Sequence, residues 1–444
     1  MRVFKQAMNM HPIKSLCAVF FFTASLALCQ RDPGPQPQPV PATTYLPNMT
    51  AAELASFQEG LSRFMEIDSV AGTEPGATGT GLGPRFNHNS CAGCHAHPYT
   101  GGSSPALNPQ VQMATDYGAR NQLPEFIQPN GPVREARFVR NPDGTPDGGV
   151  HNLFVITGRQ DAGSCNITQP NFSQAEAANN LALRIPTPLF GAGLISAISD
   201  SAILANKAAS AALKKQFGIA GHENRSANDG TITRFGWKAQ NKSPQIFGAE
   251  AYNVEQGVTN DIFPTERDET PGCQLNALPE DTVNMAFSYV GDISDVMGFA
   301  YFMRYLAPPA ALTPTASTLR GQQVFTQTGC ALCHTPSLQT GNSISAALQN
   351  QTVSLFSDLL VHNMGTGLAD GITQGTAQGG EFRTAPLWGL SQRLFFLHDG
   401  RTSDVQAAIL AHASQGSEAS VVIQNYTSLP ASAKQDLLNY LRSL

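Results

Sequence analysis

The chain has 444 residues, of which 41% are hydrophobic and only 14% charged, with a formal net charge of -6. That length suits two or three domains with cores of their own. The sparse, slightly negative charge excludes a basic nucleic-acid-binding surface, so no nucleic-acid partner is expected.

In chain order, the first segment reads as an export signal. Arg2, Lys5 and Lys14 precede an apolar run from Leu16 to Leu28 that is too short to span a bilayer. Ser25 and Ala27 are the small residues that suit cleavage after Ala27. Alternatively, "SLALC" is a lipobox that leaves Cys29 as a lipid anchor, although Leu28 is large for that role. Residues 1–29 are therefore read as a signal peptide of a periplasmic protein, with an outer-membrane-tethered lipoprotein as the other reading. "RDPGPQPQPVPATT" follows, and residues 30–44 read as an extended proline-rich tether.

Thr50 and Glu53 then make a capping box, and Leu54, Phe57, Leu61 and Phe64 recur at helical spacing. Just beyond this amphipathic helix stands "NHNSCAGCHAHP", and its C-x-x-C-H pattern returns in "GCALCHTP". The spacing serves c-type haem attachment, in which two thiols form thioethers to the haem vinyl groups and the next histidine ligates the iron. Cys91, Cys94 and His95 would hold one haem, and Cys330, Cys333 and His334 the other. A zinc ribbon sets its C-x-x-C pairs closer together, and a thioredoxin-like C-x-x-C needs no trailing histidine.

The stretch from Ala96 to Leu306 is longer than one cytochrome c needs, so it carries an insertion. Within it "HNLFVITGRQ" and "TITRFGWKA" have the β-branched and aromatic character of short strands. Cys165 and Cys273 are the cysteines that haem attachment leaves over in the globular part, and an oxidising compartment predicts a disulfide between them. Val296, Phe299, Met303 and Leu306 form another helical stripe, which ends in the boundary "APPAALTP". A short helix precedes the second C-x-x-C-H, and Leu437, Leu441 and Leu444 close the chain on a helix begun near Pro430. The expected fold is mainly α, with two cytochrome c-like haem domains and long irregular loops. Residues 45–306 form an N-terminal catalytic haem domain with the insertion, and 307–444 a C-terminal electron-transfer haem domain.

The sixth ligand decides whether an iron carries electrons or does chemistry. Ser403 and Gln406 read as a second capping box, and Val405, Ala408, Ile409 and His412 share one face of the helix that follows. His412 is thus the candidate sixth ligand of the second haem, with His362 and Met364 as rivals and His398 as a loop anchor. For the first haem no partner is comparably placed, because His88, His97, His151 and His222 lie in Gly/Asn-rich loops. An open or exchangeable position there is where small molecules would react.

With these stretches, "GLGPRFNHNSCAGCH", "RFGWKA", "AYNVEQGVTN", "SDLLVHNMGTGLADG", "FRTAPLWGL" and "LHDGRT", the chain resembles the bacterial di-haem oxidoreductases, a family described as peroxidases and sometimes called thiol oxidoreductases. The resemblance runs from about Leu54 to the C-terminus. It extends to the di-haem cytochrome c peroxidases and to the di-haem enzyme that matures methylamine dehydrogenase. It implies a catalytic N-terminal haem and a C-terminal haem that supplies or stores an electron. It also implies a distal acid/base, Glu255 in "QIFGAEAYNVE", with Gln245 as its hydrogen-bonding companion and Glu250 as the fallback. Heterolytic O–O cleavage needs such a group, to take a proton from one peroxide oxygen and return it to the other. Trp237 is the candidate electron relay between the haems, although it sits two positions later than the family pattern places it. His412 stands where the peroxidases have a Met and the maturation enzyme a Tyr; a second imidazole should lower the iron's potential where Met raises it. Arg393 and Phe395 occupy the positions that bind an interdomain calcium in the peroxidases, which speaks against calcium without removing it.

The resulting expectation is a periplasmic di-haem enzyme that reduces hydrogen peroxide with electrons from a periplasmic donor. The alternatives are an electron-transfer cytochrome with both irons six-coordinate, and an oxidase acting on a protein or sulfur substrate.

Overall fold

The structure, a computed structural model, describes residues 30–37, 44–282 and 293–444. The export signal and the Cys29 reading lie outside the described residues.

Helix Ala51–Phe64 begins at the expected capping box: the Thr50 hydroxyl accepts from the Glu53 amide at 3.2 Å, and the Glu53 carboxylate accepts from the Thr50 amide at 2.7 Å. Its buried face, Phe57, Gly60 and Phe64, packs on helix Asp295–Tyr305, where Val296, Phe299 and Met303 are buried. The two backbones approach so closely that a Cβ on Gly60 would fall 2.2 Å from the Gly298 carbonyl. Any larger residue would force the helices apart and open the Phe57–Phe302 and Phe64–Phe302 ring contacts at 5.6 and 4.6 Å.

The same device recurs in the C-terminal part. Helix Ala316–Thr328 crosses the last helix, Ala431–Leu441, at Gly321, whose Cβ would meet the Asp436 carbonyl at 2.0 Å. Phe325 and Tyr440 pack at 5.7 Å beside that crossing. Each C-x-x-C-H turn thus follows directly on, or lies close after, a helix fixed through a glycine.

Among the described residues the strands are short and pair only in two-stranded antiparallel sheets. "HNLFVITGRQ" contributes Phe154–Val155, which pairs with Arg85–Phe86. "TITRFGWKA" forms no strand and makes only isolated bridges, Arg225 to Ile232 and Phe235 to Asn241, which corrects the strand expectation for that segment. Its chain turns back on itself within a few residues, too tightly to extend a ladder. The sheet that matters for the site joins Glu135–Phe138 to Leu181–Arg184.

Cys165 and Cys273 form the expected disulfide, spanning 108 residues and buried in the core of the insertion. The largest core cluster runs through both halves of the chain, with Phe57 and Phe302 in the same cluster as Leu338, Leu355 and Trp388. The proline-rich stretch is more than a tether over residues 30–37. Asp32 accepts from Arg442 at 2.7 and 2.8 Å in a largely buried ion pair, and the Gln36 amide donates to the Ser391 carbonyl at 2.7 Å. Among the described residues no helix is long and apolar enough to cross a membrane.

Candidate active site

Two large cavities surround the C-x-x-C-H turns. One is lined by Cys91, Cys94 and His95, the other by Cys330, Cys333 and His334. A smaller cavity of about 520 Å³ lies between them, and Trp237 lines all three.

In the first cavity Cys91 and Cys94 stand at the two ends of a one-turn helix, both as free thiols. His95 follows, with Nδ1 against the Gly102 carbonyl at 2.9 Å and its ring edge against Phe64 at 6.0 Å. Burial pushes its pKa down to about 4, so the ring is neutral and carries its proton on Nδ1. The unprotonated Nε2 is then the nitrogen a metal would take, with the Thr187 backbone also hydrogen-bonded to the ring. The second turn repeats it. His334 Nδ1 lies 3.0 Å from the Phe356 carbonyl and its ring packs near Phe325 at 6.5 Å. Burial, and then neighbouring His412, push its pKa down to about 4.

His412 lines the same second cavity, and its Nδ1 lies 2.7 Å from the Ala408 carbonyl one turn earlier in its helix. Burial lowers its pKa, so it too is neutral with Nε2 free. Its helix is not capped as expected: Asp404 rather than Ser403 is the N-cap, accepting from the Ala407 amide at 2.7 Å. Asp and Ser are about equally good N-caps, and here the chain enters the helix one residue later than expected.

His362 cannot compete for the iron. Its Nδ1 bonds Glu418 at 2.8 Å and its Nε2 bonds Asp358 at 3.0 Å, so both ring nitrogens are taken. Although burial works against the charge, Asp358 and the surrounding acceptors hold its pKa well above the usual histidine range. Met364 does line the cavity. His398 stacks on Phe382 at 4.3 Å while its carbonyl accepts from the Ile185 amide at 2.8 Å.

At the first cavity His88 is buried in the wall, its ring lying against Gly93 of the C-x-x-C-H turn. It therefore sits beside the turn rather than across from it. His97, His151 and His222 bond the Gln392 carbonyl, Asp147 and Glu381 at 2.7, 2.8 and 3.0 Å, and none of them lines this cavity.

Helix Pro244–Gln256, capped by Ser243, presents Phe247, Gly248, Ala251 and Glu255 to the first cavity. Burial, then the Glu135 carboxylate, push the Glu255 pKa up to about 8 against the pull of Arg137. Glu250 lines the cavity too and accepts from Asn241. Gln245 does not join them. It lies two residues before Phe247, on another face, and its amide donates to Met297 Sδ at 3.1 Å outside the cavity. Trp237 is buried at the junction of the cavities, with Nε1–H donating to the Ile185 carbonyl at 2.9 Å.

Sequence reasoning missed Glu135 and Arg137, an ion pair on one strand that lines the first cavity. Their signal was "REARF", in which charges at alternate positions of a strand interrupt an apolar neighbourhood and share one face. Two side-chain atoms of this cavity, Asn87 Nδ2 and Gln240 Oε1, are buried with no partner among the described residues. A cavity with paired free thiols, a neutral histidine beside them, and orphaned polar atoms fits a haem held by Cys91, Cys94 and His95. The second, lined by many apolar side chains together with Arg383 and Arg393, fits one held by Cys330, Cys333, His334 and His412.

Two such cavities joined through a buried tryptophan mark an oxidoreductase that uses two prosthetic groups. The comparison of sequences agrees: residues 142–444 match the family described as "Di-haem oxidoreductase, putative peroxidase", and the chain belongs to that family. No curated protein matches it. Among solved structures, the di-haem peroxidase BthA of Burkholderia thailandensis is 13% identical, with 88% of this chain and 85% of that one covered and a TM-score of 0.37. Hydrazine synthase of Kuenenia stuttgartiensis is 14% identical, with 99% and 100% covered and a TM-score of 0.35. A MauG-like protein associated with microbial copper homeostasis is 20% identical with a TM-score of 0.25; the match covers 34% of this chain and about half, 52%, of that one.

Proposed function

We propose that the protein is a periplasmic c-type di-haem peroxidase that reduces hydrogen peroxide at its first cavity with electrons delivered through the second. The observation that carries this reading is Glu255: a buried carboxyl in the cavity of Cys91, Cys94 and His95, with a pKa raised to about 8. When bound, haem supplies the one-electron redox chemistry of its iron. What the chain adds is proton movement and positioning. Glu255 takes a proton from one peroxide oxygen and returns it to the other as the O–O bond breaks, so that two electrons and two protons convert peroxide to two waters. Arg137, held by Glu135, places a cation beside Glu255 and steadies the carboxylate before it takes the proton and after it returns it.

In the second cavity His334 and His412 would both hold the group, which would supply electron transfer there rather than reaction with peroxide. Trp237 is the aromatic bridge between the two cavities. The electrons come from a periplasmic donor, and the export signal expected in residues 1–29 accounts for the compartment.

The test is hydrogen peroxide turnover by the purified di-haem protein with a chemical electron donor, wild type against Glu255→Gln. Severe loss in the variant, with haem content unchanged, is the expected result. No turnover by the wild type, with both irons low-spin at every stage of reduction, would make it an electron-transfer cytochrome instead.

A further inference from the structure

The cavity between the two haem cavities holds an electrostatic feature that peroxide chemistry does not use. Arg383 and Arg393 line both this middle cavity and the second one. Arg383 leaves the strand Glu381–Arg383 and donates through Nε to the Gly236 carbonyl at 3.1 Å; Arg393 donates through Nε to the Phe395 carbonyl at 3.0 Å. Among the described residues, neither guanidinium pairs with a carboxylate, and the terminal amino groups of both have no protein acceptor. Burial pushes both pKa values down to about 10, and the Arg393 charge adds to the effect on Arg383. Two like charges near one another on a partly enclosed wall, without a counter-ion, are costly. The least exposed arginines do have carboxylate partners, as Arg442 has in Asp32 and Arg184 in Asp370.

The missing partner has to be anionic, has to reach the middle cavity, and has to suit planar forks of N–H donors. Carboxylates meet that geometry. Each haem carries two propionate carboxylates, and the middle cavity adjoins both haem cavities through Trp237. We propose that Arg383 and Arg393 form one guanidinium clamp that takes propionates from both haems and sets the reduction potentials of the two together. This rests on the di-haem reading and not on peroxide turnover. The clamp positions and tunes; it does not touch the reacting atoms. Its fixed positive charge favours the ferrous state, so its loss lowers both potentials.

The test uses the holoprotein, wild type against Arg383→Met and Arg393→Met, with haem content from the pyridine haemochromogen assay and potentials from spectroelectrochemical titration. Both variants should keep two haems per chain. At a fixed ambient potential the reduced-to-oxidised ratio of both haems should fall roughly tenfold, which is what a unit charge about 10 Å away gives at an effective dielectric near 20. Tenfold is 59 mV for a one-electron couple. Unmoved potentials in fully loaded variants would overturn the clamp, and so would a shift confined to one haem. Should the Met variants fail to take up haem, Arg383→Lys and Arg393→Lys keep the charge and lose the fork. The propionate-bending bands of their resonance Raman spectra must then move relative to wild type, and unmoved bands overturn the proposal. Wild-type potentials that follow added phosphate, with Raman bands indifferent to substitution, would assign the arginines to a free anion and overturn it equally. A wild-type protein without haem would sink the di-haem reading itself, and the haem assay shows that before any variant is compared.

Discussion

Glu255→Gln is the substitution on which the proposed chemistry turns. Glutamine is close in shape to a protonated glutamic acid, and with a pKa of about 8 Glu255 is mostly protonated at neutral pH. The variant should therefore fold and take up haem as the wild type does, while losing the proton transfer. Removing a general acid/base costs about 10²–10⁴ in rate. A sharper signature lies in the pH profile. The form that accepts the first proton is the carboxylate, present to about a tenth at pH 7 and about nine tenths at pH 9 for a pKa of about 8. kcat/KM for peroxide should thus rise close to tenfold over that interval in the wild type and stay flat in the variant. Stability gives a third reading with its own sign. The folded pKa is raised above 4.5, so the contribution of Glu255 to stability is complete below about pH 4.5. It then falls by about 1.4 kcal/mol per pH unit until about pH 8. Gln lacks that slope, so the variant should gain on the wild type in urea unfolding as pH rises through the window. Turnover within tenfold of wild type, or a rising profile that survives the substitution, would refute the assignment of Glu255.

His412→Met should leave the second haem six-coordinate and raise its potential, because thioether favours the ferrous state more than imidazole does; an unchanged potential would mean that His412 does not ligate. Replacing Cys165 and Cys273 with serine opens a covalent loop of 108 residues and should cost about 4–5 kcal/mol in chemical unfolding, with a loss below about 1 kcal/mol contradicting that account. Asp32→Asn leaves the Arg442 guanidinium buried without its counter-charge and should cost about 3–5 kcal/mol. Arg442 and the backbone amides hold the Asp32 pKa down despite burial, so the wild-type advantage should be present above the unfolded pKa and vanish as pH falls through the folded one. Urea melts at pH 7 and in mild acid would show it.

What the sequence revealed was whatever chemistry lies within a few residues. The Thr50 capping box and the stripe from Val296 to Met303 are local and stand as read, while His412 falls one residue beyond the helix expected to carry it, as the cap that ends helix Val405–Ala411. Where two residues competed for one local role, pattern could not choose: Ser403 and Asp404 are both good N-caps, and the helix starts after Asp404. Long-range partners left no local trace. That His362 is boxed by Asp358 and Glu418 depends on a residue 56 positions away. The docking of Asp32 on Arg442 spans 410 positions, so a stretch rich in proline looked like a free tether. Gln245 failed to join Glu255 for a geometric reason: ten residues along a helix of 3.6 per turn come to about 80° short of a whole number of turns. The same offset, read as a motif, carries no such information.

The two halves of the site show how one local design serves two purposes. Both C-x-x-C-H histidines are fixed alike, with Nδ1 on a backbone carbonyl and a phenylalanine beside the ring. The difference lies in the opposite wall. The second cavity is lined by His412, which on the proposed reading would be a second imidazole ligand and favour electron transfer. The first sets Glu255, Glu135 and Arg137, which offer a proton and a fixed charge but no second imidazole across from His95. Exchange of that wall chemistry should exchange the behaviour. A histidine in place of Glu255 would bring an imidazole into the first cavity; if it reaches the iron, the high-spin ferric EPR signal expected of the wild type should give way to a low-spin one as peroxide turnover disappears. Turnover lost with the high-spin signal retained would show that Glu255 moves protons in a site whose iron its side chain cannot reach.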